Sequence, residues 1–182
     1  MSPVKTMKFT IYAFLGFLFL FTSLATTAEA QKRRDYLSDE EIELVRDKQQ
    51  IDQRIEILVT AIDRRFAVLN NLPSPIKKNV EAWGAEPKGT RTELISDISK
   101  LLQKAVDDID NLAQNENGMK SEFFPKAVQK LSAAAERFQP QLKLLYDQIT
   151  VEKERGVILN SMDLCSQIIE AARKMPKEVK KK

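Results

Sequence analysis

The chain of 182 residues contains no histidine, one cysteine, one tryptophan and five glycines. Each scarcity removes a class of chemistry. Without histidine there is no Ser-His-Asp or Cys-His nucleophile in its usual form. The same absence removes H-E-x-x-H zinc sites, the Glu-x-x-His pairs of di-iron bundles and the proximal ligand of most haem proteins. With Cys165 alone, no disulfide can form within the chain, so stability has to come from packing. Five glycines are too few for a phosphate-cradling loop, and no such motif occurs. No catalytic, cofactor-binding or metal-binding residue can be nominated, and the expectation is that the protein is not an enzyme.

Charge of one sign is also missing. Residues 1 to 30 have the form of a cleaved signal peptide: Lys5 and Lys8, an apolar run from Phe9 to Leu24, and Ala28-Glu29-Ala30 before Gln31. Removing them leaves 27 basic and 25 acidic residues of the original 29 and 26, a net of +2 over 152 residues. That balance gives no reason to expect specific nucleic-acid binding. The alternative is a membrane anchor through residues 9–28, whose length suffices to cross a bilayer. Export predicts a secreted or periplasmic protein, and 152 residues suit one compact domain, here 31–176, ahead of a basic tail, 177–182.

What the chain does have is helical periodicity. Leu37 to Leu69 reads as one long amphipathic helix, opened by a capping box of Ser38 and Glu41. Its apolar stripe runs Ile51, Ile55, Leu58, Ile62, Phe66 and Leu69, while Ile42 and Val45 form a thinner stripe in the first half. Asp52, Arg54, Glu56, Asp63, Arg64 and Arg65 look like a charged outer face with local pairing. A proline-containing stretch, Asn70 to Gly89, follows and holds Trp83. Thr90 and Glu93 repeat the capping-box spacing and open a second helix along Leu94, Ile98, Leu101, Ala105, Ile109 and Leu112. A third starts near Ser121 and should kink or split at Pro140. Its apolar positions from Phe124 to Ile149 alternate by four and three, the spacing of coiled-coil packing. Beyond Ile149 the stripe changes phase, which places a turn near Thr150 and a fourth helix along Ile158, Met162, Cys165, Ile169 and Ala172; a single helix bent at Gly156 is the alternative.

These stripes predict an all-α fold, an antiparallel four-helix bundle of up-down-up-down order with a long first helix. The excess length of that helix, Ser38 to Gln50, should either overhang or pack on the loop around Trp83. Cys165 falls on an apolar stripe and reads as a small core residue. Asp107, Asp108 and Asp110 read as a solvated face, since DDIDNLAQNENG lacks the spacing of a calcium loop.

The leading expectation is a non-catalytic interaction or structural module of the cell envelope, with a protein partner or self-association. Its candidate contact residues are Trp83, Ile42 and Val45, together with Lys177, Lys180, Lys181 and Lys182, whose charges suit anionic membrane or other polyanions. The alternative is a carrier for a lipid-like or other apolar small ligand. A cavity above about 300 Å³ lined by the bundle helices would favour the carrier.

Overall fold

The computed structural model describes residues 34–115 and 117–175. The expected signal peptide and basic tail lie outside those residues. From Asp35 onward the chain is one compact unit. Among the described residues it is helical throughout, with five α-helices and no strand. These are α1 (Asp39–Asp47), α2 (Ile51–Leu69), α3 (Arg91–Ala113), α4 (Phe123–Gln148) and α5 (Glu152–Lys174). Short 3-10 turns at Val80–Trp83 and Gly118–Lys120 interrupt the two longer links.

Local sequence sets most boundaries. Both capping boxes form: the Ser38 backbone N–H donates to Glu41 Oε2 at 3.0 Å and the Glu41 N–H donates to Ser38 Oγ at 3.2 Å. Thr90 and Glu93 repeat the exchange at the start of α3. At the end of α2, Asn71 takes a left-handed conformation at φ 51° that asparagine tolerates well. The turn between α4 and α5 falls at residues 149–151, and Gly156 sits inside α5, so the bent single helix does not occur. Thr150 is not the cap; Val151 holds that position and supplies no side-chain bond.

Two expectations are corrected. The first helix is not continuous. Lys48 and Gln50 are extended, and α1 turns back to lie on α2 and on the Val80–Trp83 turn. Arg54 stabilises the corner, donating through Nε and Nη2 to the Lys48 carbonyl at 3.2 and 3.0 Å. The surplus length therefore takes the second of the two expected arrangements and packs on the loop around Trp83. Secondly, Pro140 does not split α4, which runs unbroken from Phe123 to Gln148. Pro140 lies on the exposed side, where water can replace the hydrogen bond its nitrogen cannot make.

The helices pack as two pairs laid side by side: α2 on α3, α4 on α5, then α2 along α4 and α3 along α5. Long-range side-chain bonds give the directions. Lys130 bonds Asp52 and Glu56, while Arg137 bonds Asp63, so residue numbers rise together and α2 and α4 are parallel. Thr92 and Glu154, each one turn into its helix, are hydrogen-bonded, so α3 and α5 are parallel too. Successive helices still alternate in direction, but α3 makes little contact with α4, the helix that follows it. The core between them is apolar: Ile55, Leu58, Ile62, Ile98, Leu101, Ala105, Ala135, Phe138 and Ile158 are inaccessible. Phe66 meets Phe138 with ring centroids 5.4 Å apart. Among the described residues no helix is long and apolar enough to cross a membrane.

Candidate binding cleft

Three features could carry chemistry or binding: a buried ionic cluster under α1, the lone thiol, and an apolar cleft at one end of the helices.

The cluster is the most strongly built. Glu41 is fully buried, yet it accepts three bonds from two arginines: Arg64 Nη1 at 2.6 Å, Arg65 Nη1 at 2.5 Å and Arg65 Nη2 at 2.6 Å. The capping carboxylate of α1 is therefore also the counter-ion of α2. The other hydrogens on the two terminal nitrogens of Arg65 go to the carbonyls of Tyr36 and Ala61, at 2.7 and 2.9 Å, while its buried Nε has no partner among the described residues. Arg64 donates to the Ala85 carbonyl and stacks 5.5 Å from the centre of the Trp83 ring. Arg64 and Arg65 are 3% and 2% exposed, which corrects the reading of them as a charged outer face. Glu56 lies on an outer face and Asp63 is partly exposed, whereas Asp52 is buried at 9% exposure, and the partners of all three are Lys130 and Arg137 on α4, not near neighbours in sequence. The hydrogen bond to Glu56 is the main reason the Lys130 ammonium is held above its ordinary pKa. Both Glu41 oxygens and the terminal nitrogens of both arginines are engaged by other protein groups, while the buried Nε atoms of Arg64 and Arg65 have no hydrogen-bond partner among the described residues; the cluster clamps α1 to α2.

The clamp also disposes of part of the expected interaction surface. Trp83 is 8% exposed, under Arg64 and against α1, so it is a core residue and not an anchor for a partner. Ile42 and Val45 are half-buried against the same core, because α1 folds back onto the loop around Trp83, the second of the two arrangements expected for it. Lys177, Lys180, Lys181 and Lys182 lie outside the described residues.

Cys165 is buried in the core as its stripe implied, and burial pushes its thiol pKa up to about 12. Such a thiol stays protonated and unreactive near neutrality. Asp107 accepts from Gln103, Asp108 pairs with Lys104 at 3.1 Å, and Asp110 is exposed. Among the described residues no group of three or more metal-ligating side chains occurs.

The remaining feature is a cleft of about 430 Å³ where the end of α3, the start of α4 and the end of α5 meet. Val106 and Ile109 form one wall, Phe124, Val128 and Leu131 the second, Leu164, Ile168 and Ala171 the third. Met119, in the turn before α4 and 65% exposed, and Met175, just after α5 and partly buried, complete the lining. Only Asp110 and Gln167 among its twelve lining residues are polar. The cleft exists because α3 and α4 diverge: the nine-residue link 114–122 carries the chain to the far side of the packet, and side chains fill the space only partly. Two other depressions, of about 420 and 560 Å³, are lined mainly by charged and amide side chains.

Phe124, Val128, Leu131 and Ile109 fall on the apolar stripes read from the sequence, which do not show that they border a space. The alanines of these helices differ in their surroundings. Ala105, Ala134 and Ala135 are buried between helices, Ala133 is exposed, and Ala171 lines the cleft. No family model, curated protein or solved structure matches the chain.

Proposed function

We propose that this protein is a non-catalytic carrier that holds the apolar part of a lipid-like small ligand in the cleft between α3, α4 and α5. In this reading α2 to α5 are a four-helix bundle, exported behind a signal peptide that is cleaved before Gln31, and the carrier works outside the cytoplasm. The observation that carries the proposal is the cleft itself: about 430 Å³, walled almost wholly by hydrocarbon and open to solvent, within the size range of small-molecule sites. Of the residues first nominated for protein contact, Trp83 is by contrast buried and Ile42 and Val45 are half-buried. No catalytic role is assigned, since the chain has no histidine and its fully buried acid, Glu41, is consumed in ion pairs with Arg64 and Arg65.

The test combines two measurements. Native mass spectrometry of the protein from the exported fraction of its host should show a mass beginning at Gln31 with a co-purifying small molecule. The neutral fluorescent probe N-phenyl-1-naphthylamine should bind the ligand-free chain with one site, and Ala171→Trp, which fills the cleft from an exposed position, should weaken it about ten-fold or more. Probe binding unchanged by Ala171→Trp would remove the cleft from consideration. A ligand-free dimer or a stable protein complex in the mass spectrum would return the protein to the class of interaction modules.

A further inference from the structure

Asp110 is the single charged residue in the lining of the cleft, and no lysine, arginine or hydroxyl side chain stands beside it there. Nothing in that lining can neutralise the carboxylate or phosphate of an anionic lipid. The start of α4, the one helix N-terminus at the cleft, is already engaged. The Phe123 N–H donates to Ser121 Oγ at 3.3 Å, the Phe124 N–H donates to the Ser121 carbonyl at 3.2 Å, and Pro125 has no N–H. The other two helices bring their C-terminal ends to the cleft, and those ends favour a cation. Lys120, Lys126, Arg173 and Lys174 are close in sequence to the lining but form no part of it, and Lys126 and Lys174 pair with Glu122 and Glu170.

Asp110 also stands where a helix gains least from an acid. It lies in the last turn of α3, which holds no basic residue, and its carboxylate has no hydrogen bond or ion pair among the described residues. Asp107 and Asp108, by contrast, are served by Gln103 and Lys104. An unpartnered acid at the negative end of a helix costs stability, and a local cost without an internal return is characteristic of a functional position. The second polar residue, Gln167, is oriented by Asp163. Its Nε2 lies 2.7 Å from Asp163 Oδ2, and because an ionised carboxylate only accepts, the amide keeps its carbonyl oxygen as an acceptor.

We infer that the ligand of the cleft is an amphiphilic amine, whose hydrocarbon part lies between α3, α4 and α5 and whose ammonium group meets the Asp110 carboxylate at the rim. The Gln167 carbonyl oxygen is the second acceptor for its N–H groups. This inference rests on the carrier reading and narrows it: a fatty acid or a phosphate-bearing lipid would set its anion beside the only charge in the lining.

The test uses three ligands that share one alkyl chain and differ in charge. N-phenyl-1-naphthylamine is bound to the ligand-free chain and displaced at neutral pH by decylamine, decanol or decanoate, each below its micelle-forming concentration. Decylamine should act at about ten-fold lower concentration than decanoate, with decanol between them, as one partly exposed ion pair gained or one repulsion imposed requires. An order set by the basic tail would be the reverse. Asp110→Asn should close most of the gap between amine and anion and leave the affinity of the neutral probe unchanged. Because it removes an acid from a helix C-terminus, this variant should be no less stable than the parent, which thermal melting checks. Asp147→Asn, which removes the same charge near the far end of α4, should keep the full gap. Equal displacement by the three ligands, preference for decanoate, or a gap that survives Asp110→Asn or closes equally in Asp147→Asn would each overturn the inference. The two readings fail distinguishably: a probe bound and displaced without preference for the amine removes the amine alone, whereas a probe that does not bind, or that binds indifferently to Ala171→Trp, removes the carrier and the amine with it.

Discussion

Arg65 grips Glu41 through two parallel hydrogen bonds, Nη1 to Oε1 at 2.5 Å and Nη2 to Oε2 at 2.6 Å, with both side chains sealed from solvent. The two residues are 24 apart in sequence, and the contact fastens α1 across α2. Because Arg64 bonds the same carboxylate, removing Glu41 leaves two guanidinium groups buried without their counter-ion. Glu41→Ala should therefore destabilise the protein by about 3–5 kcal/mol, the cost of breaking a buried pair from one side. Guanidinium-chloride titration measures it. A loss below about 1 kcal/mol would mean that α1 had simply lifted away and let water reach both arginines.

The lone tryptophan reports on that alternative directly. Trp83 is buried under Arg64 and against α1, so its emission in the native protein should be blue-shifted. In Glu41→Ala the emission should stay blue until global unfolding, whereas α1 lifting off the ring would move it to the red beforehand. N-phenyl-1-naphthylamine binding should be unaffected in the same variant, because none of the cleft walls belongs to α1 or α2.

Cys165 predicts a pH dependence whose sign can be worked out. Its thiol pKa is raised from 9.0 to about 12 by burial, so above pH 9 the unfolded chain loses a proton that the folded chain keeps. The unfolded state is then favoured as pH rises, and stability should fall progressively between pH 9 and 12, at no more than about 1.4 kcal/mol per pH unit. Cys165→Ala should lack this component. Comparison of urea midpoints at pH 8 and pH 10.5 in the two proteins isolates it.

Two glycines should respond to alanine in opposite directions. Gly156 lies inside α5 with open space where a Cβ would stand, so Gly156→Ala should stabilise by about 0.5–1 kcal/mol. At Gly118 a Cβ would fall 1.6 Å from the Leu112 carbonyl oxygen, which is backbone and cannot rotate aside. Gly118→Ala should therefore destabilise, by roughly 1–3 kcal/mol as overpacking does, and shift the turn that carries Met119. Thermal melts of the two variants beside the parent protein check both.

How much of this was legible in the sequence depended on how far apart the partners were. The capping boxes at Ser38 and Thr90 join residues three apart, and both could be read directly. The stripes of α3, α4 and α5 likewise gave the core residues, Cys165 among them. The break at Lys48 to Gln50 was not legible, because no proline or glycine marks it. The segment gives up helical bonds there in exchange for tertiary ones, Arg54 to the Lys48 carbonyl and Glu41 to the arginines of α2. Arg64 and Arg65 were misread for the same reason: an arginine beside an apolar stripe is ordinarily solvated, and only a distant carboxylate makes its burial tolerable. Neither could the cleft be seen, since its apolar walls have the periodicity of a filled core. The turn near Thr150 was placed correctly from a change of phase alone.

The side-by-side arrangement of the two helix pairs bears on the order in which the chain can assemble. Gln139 and Ser166 are 27 residues apart, whereas the bonds that join α2 to α4 span 74 to 78 residues. Each pair can close on itself with a short search, α4 on α5 through a three-residue turn most readily. Neither is then complete, for each keeps an apolar flank whose cover is the other. Docking of two preformed halves becomes the slow event, and a chain delivered from its N-terminus must keep α2 and α3 unprotected until α5 has emerged.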